Sequence, residues 1–259
     1  MPIQNGKHDN AWLIGSNLFE YDPCMSTKGT ILVVLKNRDE VILAADSLVT
    51  VTQEGSTTTY RQECKIQQVE DAAFAIAGLH KCHLTRFDAY AIARSALLQS
   101  GRIDKAMRTF RKQVRKPLYR ALAAVKDQTP EDYVRDHENQ EALTAVFVGF
   151  ERGTPILGVT NSFLMSQDSG AVLRSNYIYR ETGTHSLVFG HCDQVLGKTP
   201  PKNLGDDPVS LALGLIQLQI DADARNDIRQ IDWPVWTVRI NAESAKSSIG
   251  IDRHDSLHS

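Results

Sequence analysis

Two short apolar runs, residues 30–35 and 41–45, flank the polar stretch Lys36-Asn37-Arg38-Asp39-Glu40. This pairing limits the fold more than any other feature. Each run is too short for a buried helix and is rich in β-branched residues. A hairpin with both faces buried is the arrangement that suits it. The pattern recurs. Residues 65–69 and 72–77 turn at Glu70-Asp71 and end at Gly78. Residues 143–150 and 155–159 turn at Arg152-Gly153. Residues 171–179 and 186–189 read as further strands, and 235–240 with 247–251 as a last pair before a frayed tail from Asp252.

Helical periodicity lies between these pairs. Residues 82–99 place Leu84, Phe87, Ala91, Ile92, Ala96 and Leu97 near a 3.6-residue period. Residues 103–125 continue it, with a kink or restart expected at Pro117. Residues 209–224 are apolar on most sides. Hairpins alternating with segregated helices predict an α+β protein. Its antiparallel sheets should stack face to face with helices outside, as a four-layer α-β-β-α sandwich. Residues 1–28 read as an irregular leader.

Composition excludes several classes of function. The 259 residues carry 29 basic and 31 acidic side chains, a formal net charge of -2. Global charge therefore gives no reason to expect nucleic acid or an anionic membrane as partner. The basic series from Arg102 to Arg120 reads as the solvated face of a helix. No stretch approaches the roughly 20 apolar residues of a membrane helix, and the polar first 21 residues lack the apolar core of a secretory signal. Cys24, Cys64, Cys82 and Cys192 form no regular framework, so reduced thiols in the cytoplasm are expected. His80, His83, Cys82 and Cys64 match no standard zinc spacing. No metal or cofactor is expected.

One series of residues carries chemistry. Gly29-Thr30 opens the first run, Ala44-Ala45-Asp46-Ser47 ends the second, Lys65-Ile66-Gln67-Gln68-Val69 follows, and then Ala77-Gly78. A Thr hydroxyl is a weak nucleophile unless a base activates it, and a free α-amine on the same residue can be that base. Asp46 ends the strand antiparallel to the one Thr30 begins, so the two should share a sheet edge. Lys65 opens the next pair. Thr30, Asp46 and Lys65 are therefore expected to converge.

From Gly29 to about residue 100 this series resembles the start of a proteasome β subunit, an N-terminal-nucleophile (Ntn) hydrolase. The element order fits across nearly the whole chain. The resemblance implies a threonine-type hydrolase of peptide or amide bonds, with residues 1–29 removed as a propeptide and 30–259 as the hydrolase domain. It implies Thr30 as nucleophile, Lys65 and Asp46 as its charged partners, the Gly78 backbone N–H as oxyanion donor, and Asp227 as the late acidic residue. It also implies a homo-oligomer or a ring of related subunits. A second registration, with two residues inserted in the first turn, puts the first position on Lys28 and makes Thr27 the nearest hydroxyl.

The chain also departs from the family pattern. Leu48 stands where many β subunits have Arg. Gly190-His191 replaces a Gly-Ser, and the Ser expected after Asp227 is missing. His191 is then a candidate proton carrier in place of a hydroxyl. An unprocessed, non-catalytic structural subunit is the alternative reading.

Overall fold

The computed structural model describes residues 24–27, 30–52, 58–167, 170–192, 195, 207–226, 231–244 and 250–256. The protein is α+β, and its sheets are built from antiparallel pairs. Fourteen strands and four helices occur among those residues.

The first hairpin forms as expected. Strands β2 (Ile31–Lys36) and β3 (Glu40–Asp46) pair with Leu32 opposite Ala45 and Lys36 opposite Val41. Every residue of both strands is buried. They form the centre of a five-stranded sheet, flanked by β12 (His185–Gly190) on one side and β13 (Val235–Asn241) with β14 (Ile251–His254) on the other. Residues 252–254 were expected to fray. They are instead tied into β14 by pairing with β13.

The larger sheet runs β1 (Cys24–Thr27), β7 (Ala72–Cys82), β9 (Glu141–Glu151), β10 (Thr154–Gln167), β11 (Gly170–Arg180). The strands β6 (Ile66–Val69) and β8 (Phe87–Asp88) also pair with β7. Two sequence expectations fail here. Residues 24–27 are a strand rather than irregular leader, and β7 runs through Gly78 to Cys82 instead of ending at the glycine. One fact explains both: β1 and β8 supply backbone partners to the second half of β7. A small hairpin, β4 (Leu48–Thr52) with β5 (Thr58–Gln62), stands apart and lacked a clear periodic signal.

Three apolar clusters bind the elements. One lies between the larger sheet and the helices α1 (Ala89–Ser100) and α2 (Ile103–Gln128), with Phe74, Phe110 and Phe147 in ring contact. A second joins the inner faces of the two sheets through Leu32, Leu43, Ala75, Val146 and Val238. A third packs α4 (Pro208–Arg225) on the five-stranded sheet through Ile31, Val33, Ala212 and Ile216. The intersheet cluster alone removes enough side chains from water, at about 1.5–3 kcal/mol each, to fix the stacking.

Helix boundaries moved for local reasons. α1 starts at Ala89, not residue 82, because the Asp88 side chain caps it by accepting from Ala91 N–H at 2.9 Å. α2 runs through Pro117 without a break. Buried Val114 and Leu118 lie on either side of that proline, so packing offsets its missing N–H. α3 (Pro130–Asp136) follows directly. Lys105, Arg108, Lys112, Arg115, Lys116 and Arg120 of α2 are exposed while Met107, Phe110 and Val114 are buried, so the basic series is a solvated face. Cys64 and Cys192 are free thiols, whereas Cys82 is disulfide-bonded, contrary to the expectation of reduced thiols throughout.

Candidate active site

The structure brings Thr30, Asp46 and Lys65 together. Thr30 precedes β2 and Asp46 ends β3, so the antiparallel register puts them at one sheet edge. Lys65 precedes β6 in the facing sheet. Its ammonium donates to Thr30 Oγ1 at 2.8 Å, to Asp46 Oδ1 at 3.0 Å and to Asp46 Oδ2 at 2.9 Å. Those three bonds use all three N–H groups of an ammonium. The residues are 1%, 0% and 2% exposed for Thr30, Asp46 and Lys65, so this polar group sits in a dry interior.

The carboxylate is bound from both sides. Ile31 N–H donates to Oδ1 and Leu48 N–H to Oδ2, each at 3.0 Å. Backbone bonds to a charged acceptor are stronger than neutral ones. They hold Asp46 at the β3–β4 junction, with Leu48 N–H coming from that junction and Ile31 N–H from the start of the neighbouring β2. Lys65 is fixed from behind. The Tyr90 hydroxyl lies 3.1 Å from the Lys65 carbonyl and 3.3 Å from the Ile76 carbonyl. Burial raises the Asp46 carboxyl above the usual carboxylate range and lowers Lys65 below the usual lysine range, each opposed by the other's charge. Burial likewise pushes the Tyr90 phenol well up.

Gly78 has φ +89°, and a Cβ there would lie 2.5 Å from the Ala142 carbonyl oxygen. Only glycine fits. In the sheet Gly78 has Leu143 of β9 on one side and Thr27 of β1 on the other. Thr27, the hydroxyl of the alternative registration, is thus aligned with Gly78, and Thr30 is the residue bonded to Lys65. Asp227 lies outside the described residues.

Beside Lys65 opens a cavity of about 170 Å³, whose walls include Val49, Glu63, Cys64, Gln67, His80 and Tyr90. His80 packs edge-on to Tyr90, and burial lowers its pKa to about 4, so its ring is neutral near pH 7.

Sequence reading named His191 and missed its two partners, Asp223 and Gln219. The His191 ring lies 2.9 Å from Asp223 Oδ1 through Nε2, and Gln219 Nε2 donates to the same oxygen at 2.9 Å. Gln219 and Asp223 are four apart and buried on α4, where the apolar pattern predicts hydrophobic residues. Two polar residues in that phase were the available signal.

No protein-family model matches the chain, and no curated protein sequence matches it.

Proposed function

We propose that the protein is a threonine-type Ntn hydrolase of peptide or amide bonds, active once the Gly29–Thr30 bond is cut. The observation that carries this is the 2.8 Å bond from buried Lys65 to Thr30 Oγ1, with both Asp46 oxygens holding the same ammonium. A surface threonine needs no such neighbour, and a structural ion pair needs no hydroxyl.

The chemistry follows from the geometry. The freed α-amine of Thr30 takes the hydroxyl proton as Oγ1 bonds to the substrate carbonyl carbon. Lys65 stabilises Oγ1 as negative charge builds on it, and Asp46 keeps Lys65 charged. The carbonyl oxygen, now an oxyanion, is assigned to the Gly78 N–H. Collapse breaks the C–N bond, and the leaving amine departs with a proton. Water then attacks the ester on Thr30 by the same route in reverse order. The cavity beside Lys65 would receive a substrate side chain.

The larger assignments belong to the same proposal. The clusters on either side of the two sheets support the reading of a four-layer α-β-β-α sandwich, with residues 30–259 as the proposed domain. Homo-oligomerisation through the α1–α2 layer fits exposed Leu98 on α1 and Tyr119 on α2. No helix of the described residues is long and apolar enough to cross a membrane. A cytoplasmic setting completes the proposal, and the disulfide at Cys82 weighs against it, because disulfides persist in oxidising compartments.

One observation favours the unprocessed, structural alternative: β1 of the leader is seated on β7 beside Gly78. Intact mass separates the two. A species beginning at Thr30 that cleaves fluorogenic peptides, with no cleavage by Thr30→Ala, supports the hydrolase. A full-length inert species supports the alternative.

A further inference from the structure

Thr30 is also held from a second side, by groups with no part in the chemistry above. Its carbonyl accepts the His191 backbone N–H at 2.9 Å. This approach depends on Gly190, which has φ +84° and where a Cβ would lie 1.8 Å from Thr30 O. β12 therefore ends directly against the candidate nucleophile, and His191 is the first side chain beyond it.

The His191 ring has a defined orientation. A carboxylate oxygen only accepts, so the 2.9 Å contact to Asp223 requires hydrogen on Nε2. Gln219 stands 3.3 Å from Nε2 and donates to Asp223 instead. The neutral ring is thereby fixed as the Nε2–H tautomer, with the lone pair on Nδ1. No described residue bonds Nδ1, and the His191 side chain is 18% exposed. Asp223 is 4% exposed, and its second oxygen is buried without a partner. A carboxylate bonded to Nε2 stabilises the cation formed when Nδ1 takes a proton.

We infer that His191 is a second proton carrier of this site, with Asp223 and Gln219 as its positioning residues; this rests on Thr30 being the nucleophile. The Thr30 hydroxyl proton passes to the α-amine as the Oγ1–C bond forms. His191 Nδ1 takes it from the amine through one water. It returns the proton to the departing group as the C–leaving-group bond breaks. The ring ends neutral, so nothing is consumed. An imidazole thus does the work of the missing hydroxyls.

The test uses the full chain, folded first and then cut before Thr30 by a site-specific protease. Wild type and His191→Gly, His191→Gln and Asp223→Asn are treated with a β-lactone, and Thr30 acylation is followed by intact mass. Opening the lactone leaves an ester on Oγ1 and a hydroxyl where the ring oxygen took the proton. The expected result is a loss of about 100-fold in the maximal rate for His191→Gly and His191→Gln, with half-saturation little changed, and a smaller loss for Asp223→Asn. Added imidazole should restore His191→Gly toward wild type and leave His191→Gln slow. His191→Gln keeps a donor for Asp223, so it separates lost proton transfer from lost folding. Acylation at the wild-type rate in both His191 variants, or slow variants with no imidazole rescue, overturns the proton carrier while leaving Thr30 as nucleophile. A wild type whose Thr30 is not acylated overturns the nucleophile and His191 with it.

Discussion

Lys65 and Asp46 form a closed pair in which one ammonium meets both oxygens of one carboxylate, at 3.0 and 2.9 Å, with neither side chain more than 2% exposed. Removing either charge strands the other in a dry interior. Asp46→Ala should therefore destabilise the fold by about 3–5 kcal/mol, far more than a surface pair would. The denaturant midpoint should fall with no change of slope.

Thr30 is in a different position. Its hydroxyl offers Lys65 one bond of three. Thr30→Ala should cost only about 1.5–3 kcal/mol, the range for losing one bond to a charged group. In the cut protein it should remove amide hydrolysis completely. Equal peptide turnover by wild type and variant would take Thr30 out of the chemistry.

Stability should depend on pH through His80. Its pKa is lowered to about 4 by burial, below the usual 6.5. The unfolded chain binds this proton more readily, so stability rises with pH across that interval. The contribution is fully present above about 6.5 and is lost as pH falls through 4. Its size is roughly 3 kcal/mol. His80→Gln should flatten the stability curve between those values relative to wild type, as read by urea denaturation at each pH. Parallel curves would contradict it.

Gly190→Ala tests the backbone that supports the site. Its left-handed φ alone costs an alanine about 1–2 kcal/mol, and the added Cβ meets the Thr30 carbonyl. Loss of melting temperature should come with loss of any Thr30 reactivity. Gly153→Ala, at φ +80° with nothing near its Cβ, should show the first effect alone.

How much of this was legible depended on whether a signal was local. The β2–β3 hairpin and its register follow from two apolar runs, and register then fixes Thr30 and Asp46 at one edge. Lys65 was legible because it opens the next apolar pair. The β4–β5 hairpin was not, since β5 (Thr-Thr-Tyr-Arg-Gln) is polar and gives β4 no second apolar run to pair with. The continuation of β7 past Gly78 was hidden because it depends on β1, some fifty residues earlier. Pro117 misled because packing on both sides overrode a local preference. The Asp223–His191 contact joins α4 to the end of β12, and no spacing rule connects positions 32 apart.

The place of β1 has a kinetic consequence. At Gly78 both edges of β7 are taken, by β9 on one side and by residues 24–27 on the other. An extended chain arriving from solution can pair there only by strand exchange with β1. While β1 is tethered, its local concentration is on the order of millimolar, as for any short intramolecular link. A free peptide must exceed that, or bind more tightly, to displace it. Cutting after Gly29 would end the tether through the chain. Cys82 of β7, which faces residue 24 of β1 in the register, is disulfide-bonded, so reduction there is needed as well before β1 becomes a dissociable strand. The cut that gives Thr30 its amine would then open β7 to another strand only under reducing conditions, so chemical competence and access answer to two separate events.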